Sequence, residues 1–331
     1  MVLRSFFSSK FIGFLAKLAL TLAALWFAFL GLDMGQLTQL MHGQERGPVL
    51  AVMALILVQL LMGSERWRVV IDTIQKNGVH QDASAPARLS VKQAFNIYYI
   101  SIFMGCCLPG GLMSSDVVRV WLAKLYRLPV NLTIHSVILD RILALLGLGV
   151  LVLVGLPTLG SLMGFDAEFP LLLSFAACVL GIATIFYTER KLQPLAQHKL
   201  MRWVVQFVSG AKAMLVKPAA FVRLLAYAVA AHVAYCCAAY ILAGSLGLEL
   251  SFLHTLFLIP PVILMMTLPL SVGGWGVREA SMVGMLALVG VPKAEALLLS
   301  IQLGILNIVV CLPGSILWLT ARKQSRQAHG D

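Results

Sequence analysis

Residues 132–156, LTIHSVILDRILALLGLGVLVLVGL, hold only two charged side chains, Asp140 and Arg141. About twenty apolar residues in a helix cross the hydrocarbon core of a bilayer. Comparable runs occur at 13–32, 48–63, 169–188, 219–244 and 294–320. Overall 60% of the 331 residues are hydrophobic and 12% are charged. A soluble domain carries about a quarter charged residues, and one aqueous core could not bury this much apolar surface. The expected class is therefore all-α: a polytopic membrane protein in one domain over 1–331, with six full spans. The basic start (Arg4, Lys10, Lys17) followed by the run at 13–32 is read as an uncleaved first span, because a secretory h-region is shorter.

Two further apolar segments do not read as single crossings. Residues 92–128 break at Leu108-Pro109-Gly110-Gly111, and 252–290 break at Leu268-Pro269 and Gly273-Gly274. Their arms are short for spans, so each is read as a re-entrant hairpin. With the N-terminus inside, this topology puts twenty Lys and Arg in cytoplasmic segments and two, Arg46 and Lys293, outside. That asymmetry follows the positive-inside rule and puts both termini in the cytoplasm. It also accounts for the net charge of +11 without nucleic acid, which needs a basic patch on a soluble fold. The order span–span–hairpin–span occurs twice with opposite orientation. An inverted repeat is expected, with halves 1–160 and 161–320 and a tail at 321–331.

The hairpin tips carry the expected chemistry. Proline ends a helical arm, and glycine permits a sharp turn and close approach. The helix that restarts there has unpaired N–H groups and the positive end of its dipole, which favour anions and phosphate. Ser114 and Ser115 suit an N-cap and Asp116 a first turn. Arg119 and Arg278 can offer bidentate hydrogen bonds to a phosphate. The expected substrate-binding set is Gly110, Gly111, Ser115, Arg119, Arg141, Gly273, Gly274 and Arg278. Asp116, Asp140 and Glu279 are expected to orient the arginines or carry a coupling proton. Intramembrane charges default to functional candidates, although Asp140-Arg141 can also be read as a pair that pins helices.

Arg66 and Arg68, flanking Trp67, read as an interfacial anchor or as a first contact for a lipid headgroup. His232 and His135 read better as hydrogen-bonding partners of neighbouring helices. Residues 202–217 place Val204, Phe207, Val208, Ala211 and Leu215 on one face, the pattern of a helix on the cytoplasmic surface. The six cysteines lie in apolar segments without C-x-x-C spacing, so they read as small core residues, with no metal site expected. A Walker loop, H-E-x-x-H and G-x-S-x-G are all missing from the sequence, and no cofactor is expected.

The pieces RWRVV, LPGGLMSSDVVRVWLAKL, SVILDRILALLGL, LPLSVGGWGVREASMVGMLALVGVPKAEAL and LPGSILWL, in this order, resemble the lysylphosphatidylglycerol synthase transmembrane-region family, also called flippase-like proteins. GGWGVREA is the most specific piece, and the resemblance covers almost the whole chain. It implies a multi-pass protein. In bifunctional members this region moves aminoacylated phosphatidylglycerol between leaflets after a separate soluble domain makes it. Other relatives are tied to hopanoid, polyprenyl-glycan or phospholipid traffic. Synthase members carry a large C-terminal catalytic domain where this sequence has only 321–331, so aminoacyl transfer is not expected. The first tip also departs from a compact P-G-x-x-G-D, reading Gly110-Gly111-Leu112-Met113-Ser114-Ser115-Asp116.

The expected function is movement of a phospholipid or a polyprenyl- or hopanoid-type lipid between leaflets of a bacterial inner membrane. The anionic headgroup would be held between the tips. The expected partners are membrane lipids, with a second copy of the chain and a separate lipid-synthesising enzyme also allowed. A transporter of a small soluble anion and a membrane-embedded lipid-modifying transferase are the alternatives.

Overall fold

The computed structural model describes Trp26 and residues 46–77, 88–107, 112–192, 198–267 and 274–319. Apart from Trp26, the expected first span lies outside the described residues, as do the tip residues 108–111 and 268–273 and the tail 321–331. The described residues are helical with short connections, and no strand occurs among them. Four helical stretches among them are long and apolar enough to cross a membrane: Gly47–Lys76, Val130–Met163, Pro218–Ser245 and Lys293–Leu319.

Helix α1 (Arg46–Lys76) extends well past the apolar run read at 48–63. It continues through SERWRVVIDTIQK because Trp67, Val70, Ile71 and Ile74 recur at helical spacing and are fully buried. Apart from the buried Arg66, the charges beside them lie on another face, where Arg68 pairs with Glu65 one turn before it and Asp72 one turn after it. Helix α2 (Val91–Cys107) starts with a capping box. Ser90 Oγ accepts from the Gln93 N–H at 3.2 Å, and Gln93 Oε1 accepts from the Ser90 N–H at 2.9 Å. Helix α3 (Leu112–Leu125) follows the first tip.

Helix α4 (Val130–Met163) begins after Pro129. It ends at Gly164, whose φ of 73° lets its N–H close on Gly160 O. Helix α5 (Glu168–Leu192) covers the expected span at 169–188, and its apolar side chains are strongly exposed, with Leu172 and Leu180 both at 68%. In water such a surface would aggregate, whereas in a bilayer it faces lipid. Helix α6 (Lys199–Leu215) is the amphipathic segment. Helix α7 (Pro218–Ser245) starts with proline, which loses nothing where the N–H has no intrahelical acceptor.

Helices α8 (Phe252–Thr267), α9 (Val277–Ala287) and α10 (Lys293–Cys311) complete the set, and helix continues over 313–319. At 1.5 Å per residue, α2, α3, α8 and α9 run about 17–25 Å, each short of a hydrocarbon core of about 30 Å. Pro260 and Pro261 lie inside α8, so the carbonyls four residues before them have no N–H to accept from in the helix.

The described chain divides into two compact units interleaved in sequence. One takes residues 46–58, 100–115 and 233–316. In it α8 packs on α9 and α9 on α10, with Leu258, Ile259, Met282, Leu286, Leu299 and Leu303 buried. The other takes 59–99, 116–232 and 317–319. There α6 packs against α4 and α5. Gly210 of α6 comes close to Leu139 and Ile74, and a Cβ at Gly147 of α4 would meet the Ala228 Cβ of α7 at 2.5 Å. Small residues at such crossings let helix backbones approach in a bilayer.

Candidate functional site

In the second unit, four helices bring ionisable and aromatic groups together. Asp116 and Arg119 are one turn apart on α3, and Asp140 and Arg141 are neighbours on α4. Helix α1 supplies Arg66 and Trp67, and α2 supplies Tyr98. Asp140 is the hub: Oδ1 accepts from Arg66 Nε at 2.7 Å and Oδ2 from Arg119 Nη1 at 3.0 Å. Arg141 grips Asp116 with two nitrogens, Nε at 2.9 Å from Oδ2 and Nη2 at 2.8 Å from Oδ1. Asp116 also faces Arg119 Nη2 at 3.6 Å, an ion pair too long for a hydrogen bond.

The cluster is graded in burial. The side chains of Arg119 and Asp140 are 0% and 1% exposed, whereas Asp116 and Arg141 are 23% and 28% exposed. The guanidinium of Arg119 lies 4.4 Å from the Tyr98 ring centroid and 5.4 Å from that of Trp67, within cation–π range. Trp67 Nε1 donates to Ser136 Oγ at 3.0 Å, which holds the indole in place. Gly63 makes room for Tyr98, since a Cβ there would meet its Oη at 2.5 Å. Three guanidinium groups stand against two carboxylates, so the five residues carry one excess positive charge. Among the described residues, Arg119 Nε and Nη2 are buried without a hydrogen-bond acceptor. Such donors carry a desolvation cost that an anion would relieve.

The first unit holds a smaller cluster at the start of α9. Gly274 and Gly276 adopt φ of 81° and 82°, a turn that a side chain would strain. Glu279 Oε2 then accepts from the Gly276 N–H at 2.6 Å and caps the helix from inside. Its Oε1 accepts from Arg278 Nη2 at 2.6 Å, from Arg278 Nε at 3.0 Å and from Ser300 Oγ at 3.2 Å. Arg278 lies over Trp275 with Cζ 4.4 Å from the centroid. It occupies the space left by Gly304 of α10, where any Cβ would collide with the guanidinium. Here the charges balance, and a carboxylate already sits where an anion was expected at the helix N-terminus.

Arg66, read from the sequence as an interfacial anchor or a first headgroup contact, is buried against Asp140, 74 residues away. Asp140 and Arg141 do not pair with each other: each takes a partner from another helix, and the pairs tie α4 to α1 and α3. Arg68 stays partly exposed between Glu65 and Asp72 on its own helix. Ser115 is buried and donates to Ser101 Oγ at 3.3 Å within the first unit. Gly274 turns against Met266, while Gly110, Gly111 and Gly273 lie outside the described residues. His232 Nε2 is 3.0 Å from Ala144 O, so that nitrogen carries the hydrogen and donates. His135 packs edge-on to Trp203 and Phe207 of α6, so part of the apolar face expected at a membrane surface covers protein.

Sequence reasoning missed Tyr98, Ser136, Trp275, Ser300 and Gly304. Nothing in a lone glycine or serine of an apolar helix announces a guanidinium packed on it from another element. No curated protein matches this chain closely enough to be called a relative. The family model for the lysylphosphatidylglycerol synthase TM region matches residues 14–314, nearly the whole chain and including every charged residue of both clusters, and the protein belongs to that family of membrane proteins.

Proposed function

We propose that this protein is a lipid transporter of a bacterial inner membrane, not an enzyme, and that it binds an anionic lipid headgroup at the Arg66–Arg119–Arg141 cluster. The observation that carries the reading is the excess of one buried positive charge, with two Arg119 donors unsatisfied among the described residues. Buried charge in a membrane protein is costly and is retained where it contacts substrate or ions. Family membership supports lipid as the cargo. In this reading both termini are cytoplasmic, the short helix pairs α2–α3 and α8–α9 are re-entrant arms of an inverted repeat, and no cofactor is needed. Arg278 and Glu279 frame the start of α9, and Arg119 and Arg141 bind the phosphate.

Reconstitution into proteoliposomes with headgroup-labelled phosphatidylglycerol tests this. The wild-type chain is expected to move label between leaflets. Arg141→Gln, at the partly exposed edge, is expected to slow it by about tenfold or more, the worth of one charge-assisted contact. Wild-type vesicles that leave the label in place but release entrapped inorganic phosphate would replace lipid with a small soluble anion as cargo. Movement of neither would end the transport reading.

A further inference from the structure

We infer that Asp116 is a tethered stand-in for the ligand's phosphate, a carboxylate that occupies the anion site when it is empty and is displaced when the ligand arrives. The inference rests on the transport reading above and adds the residue that sets affinity and charge selectivity.

The two carboxylates of the cluster differ in a way that assigns their roles. Asp140 is buried and held by two guanidinium groups at hydrogen-bond distance, so it cannot leave without stranding both. Asp116 is the more exposed of the two. It is bound tightly by Arg141 alone and only at 3.6 Å by Arg119. It sits over the guanidinium whose Nε and Nη2 have no acceptor among the described residues. A phosphate oxyanion in its place could accept from Arg141 and reach those two donors, because it carries more acceptor oxygens than a carboxylate and is larger. No separate cavity is required, since the carboxylate vacates its own volume toward the side from which it is already exposed.

Charge selectivity follows from the same count. Even when displaced, Asp116 stays tethered one turn from Arg119, so the five residues still sum to one positive charge. One negative charge balances them, and a second goes uncompensated. The site therefore favours a phosphate diester over a phosphate monoester. Removing the Asp116 charge raises the excess to two and shifts the preference toward the monoester. An orienting residue behaves in the opposite way, because its loss weakens binding of every anion.

The test uses the full chain in detergent with dioctanoyl phosphatidylglycerol, dioctanoyl phosphatidic acid and inorganic phosphate. A pH of about 8 keeps the monoesters doubly charged. Wild type is expected to bind the glycerol diester more tightly than the monoester, and inorganic phosphate more weakly than either lipid. Asp116→Asn is expected to tighten the diester by about tenfold, since a charge-assisted contact no longer has to be broken, and the monoester by roughly a further tenfold. A folded Asp116→Asn that binds phosphatidylglycerol no better than wild type overturns the inference and leaves the transport reading standing. Wild-type protein that binds none of the three probes overturns both. Inorganic phosphate binding as tightly as the lipids would identify the ligand as a free anion, and tightening by Asp116→Asn would still support the role of Asp116. If Asp116→Asn does not fold, Asp116→Ser is read by the same criteria. Failure of both to fold refutes a carboxylate that can be displaced.

Discussion

Asp140 is the one carboxylate at hydrogen-bond distance from both Arg66 and Arg119 among the described residues, and that decides what its loss would do. Replacing it with Asn leaves Arg66 and Arg119 as like charges at one buried locus. The expected cost is about 3–5 kcal/mol, seen as a lowered thermal midpoint in detergent. An unchanged midpoint would mean that water reaches the cluster and screens it. Gly304 makes a sharper test of packing, because its neighbour is a guanidinium held by Glu279 and Ser300 and so cannot swing away. Gly304→Ala should destabilise by about 1–3 kcal/mol, the usual cost of overpacking. Gly149→Ala, with nothing within 4 Å of the added Cβ, should be neutral or stabilising, because alanine is the better helix former. The charges at 119, 140, 141, 278 and 279 stood out in the sequence because they interrupt apolar runs. Their partners did not, because Tyr98, Trp67 and Ser300 are ordinary residues of membrane helices.

At the scale of the element, α9 shows how a short helix can hold two opposite charges without exposing either. Glu279 serves as capping carboxylate and as counter-ion to Arg278, so the two side chains act as one structural piece. Arg278→Ala strands the carboxylate and should lower stability by about 3–5 kcal/mol. A double variant, Arg278→Leu with Glu279→Gln, removes both charges and keeps a capping oxygen, since glutamine closes a capping box as glutamate does. It should melt close to wild type and retain lipid movement in proteoliposomes. A folded but inactive double variant would put Arg278 back in contact with the substrate. At the start of α2, Ser90→Ala should cost about 1 kcal/mol and speed hydrogen exchange in the first turn. That box, S-V-K-Q, was legible in the sequence. The buried stripe at Trp67, Val70, Ile71 and Ile74 was not, because the charges interleaved with it mask its period.

For the whole molecule, the orientation proposed from the asymmetry of lysine and arginine can be measured directly. Single cysteines introduced at Arg46 and Lys293 should react with an impermeant maleimide added outside intact cells. Those at Lys124 and Lys217 should react only after permeabilisation. The cysteines already in the chain would first be replaced. Labelling of all four from one side would overturn the proposed topology. The exposed leucines of α5 fit the same picture, since a helix that leaves Leu172 and Leu180 uncovered is stable where its surroundings are hydrocarbon.

Sequence alone determined that the chain is a helical membrane protein of this family, with a handful of charges in apolar surroundings. Hydrophobicity, helix breaking and charge asymmetry are local properties that add up along a chain, so they can be read without coordinates. Only the tertiary structure decided which charges neutralise one another. Arg66 meets Asp140 across 74 residues of sequence, Arg141 passes over its own neighbour to reach Asp116, and Glu279 turns back on the residue beside it. Pairing depends on which helix faces come together, and an excess of one positive charge becomes visible only once the partners have been assigned.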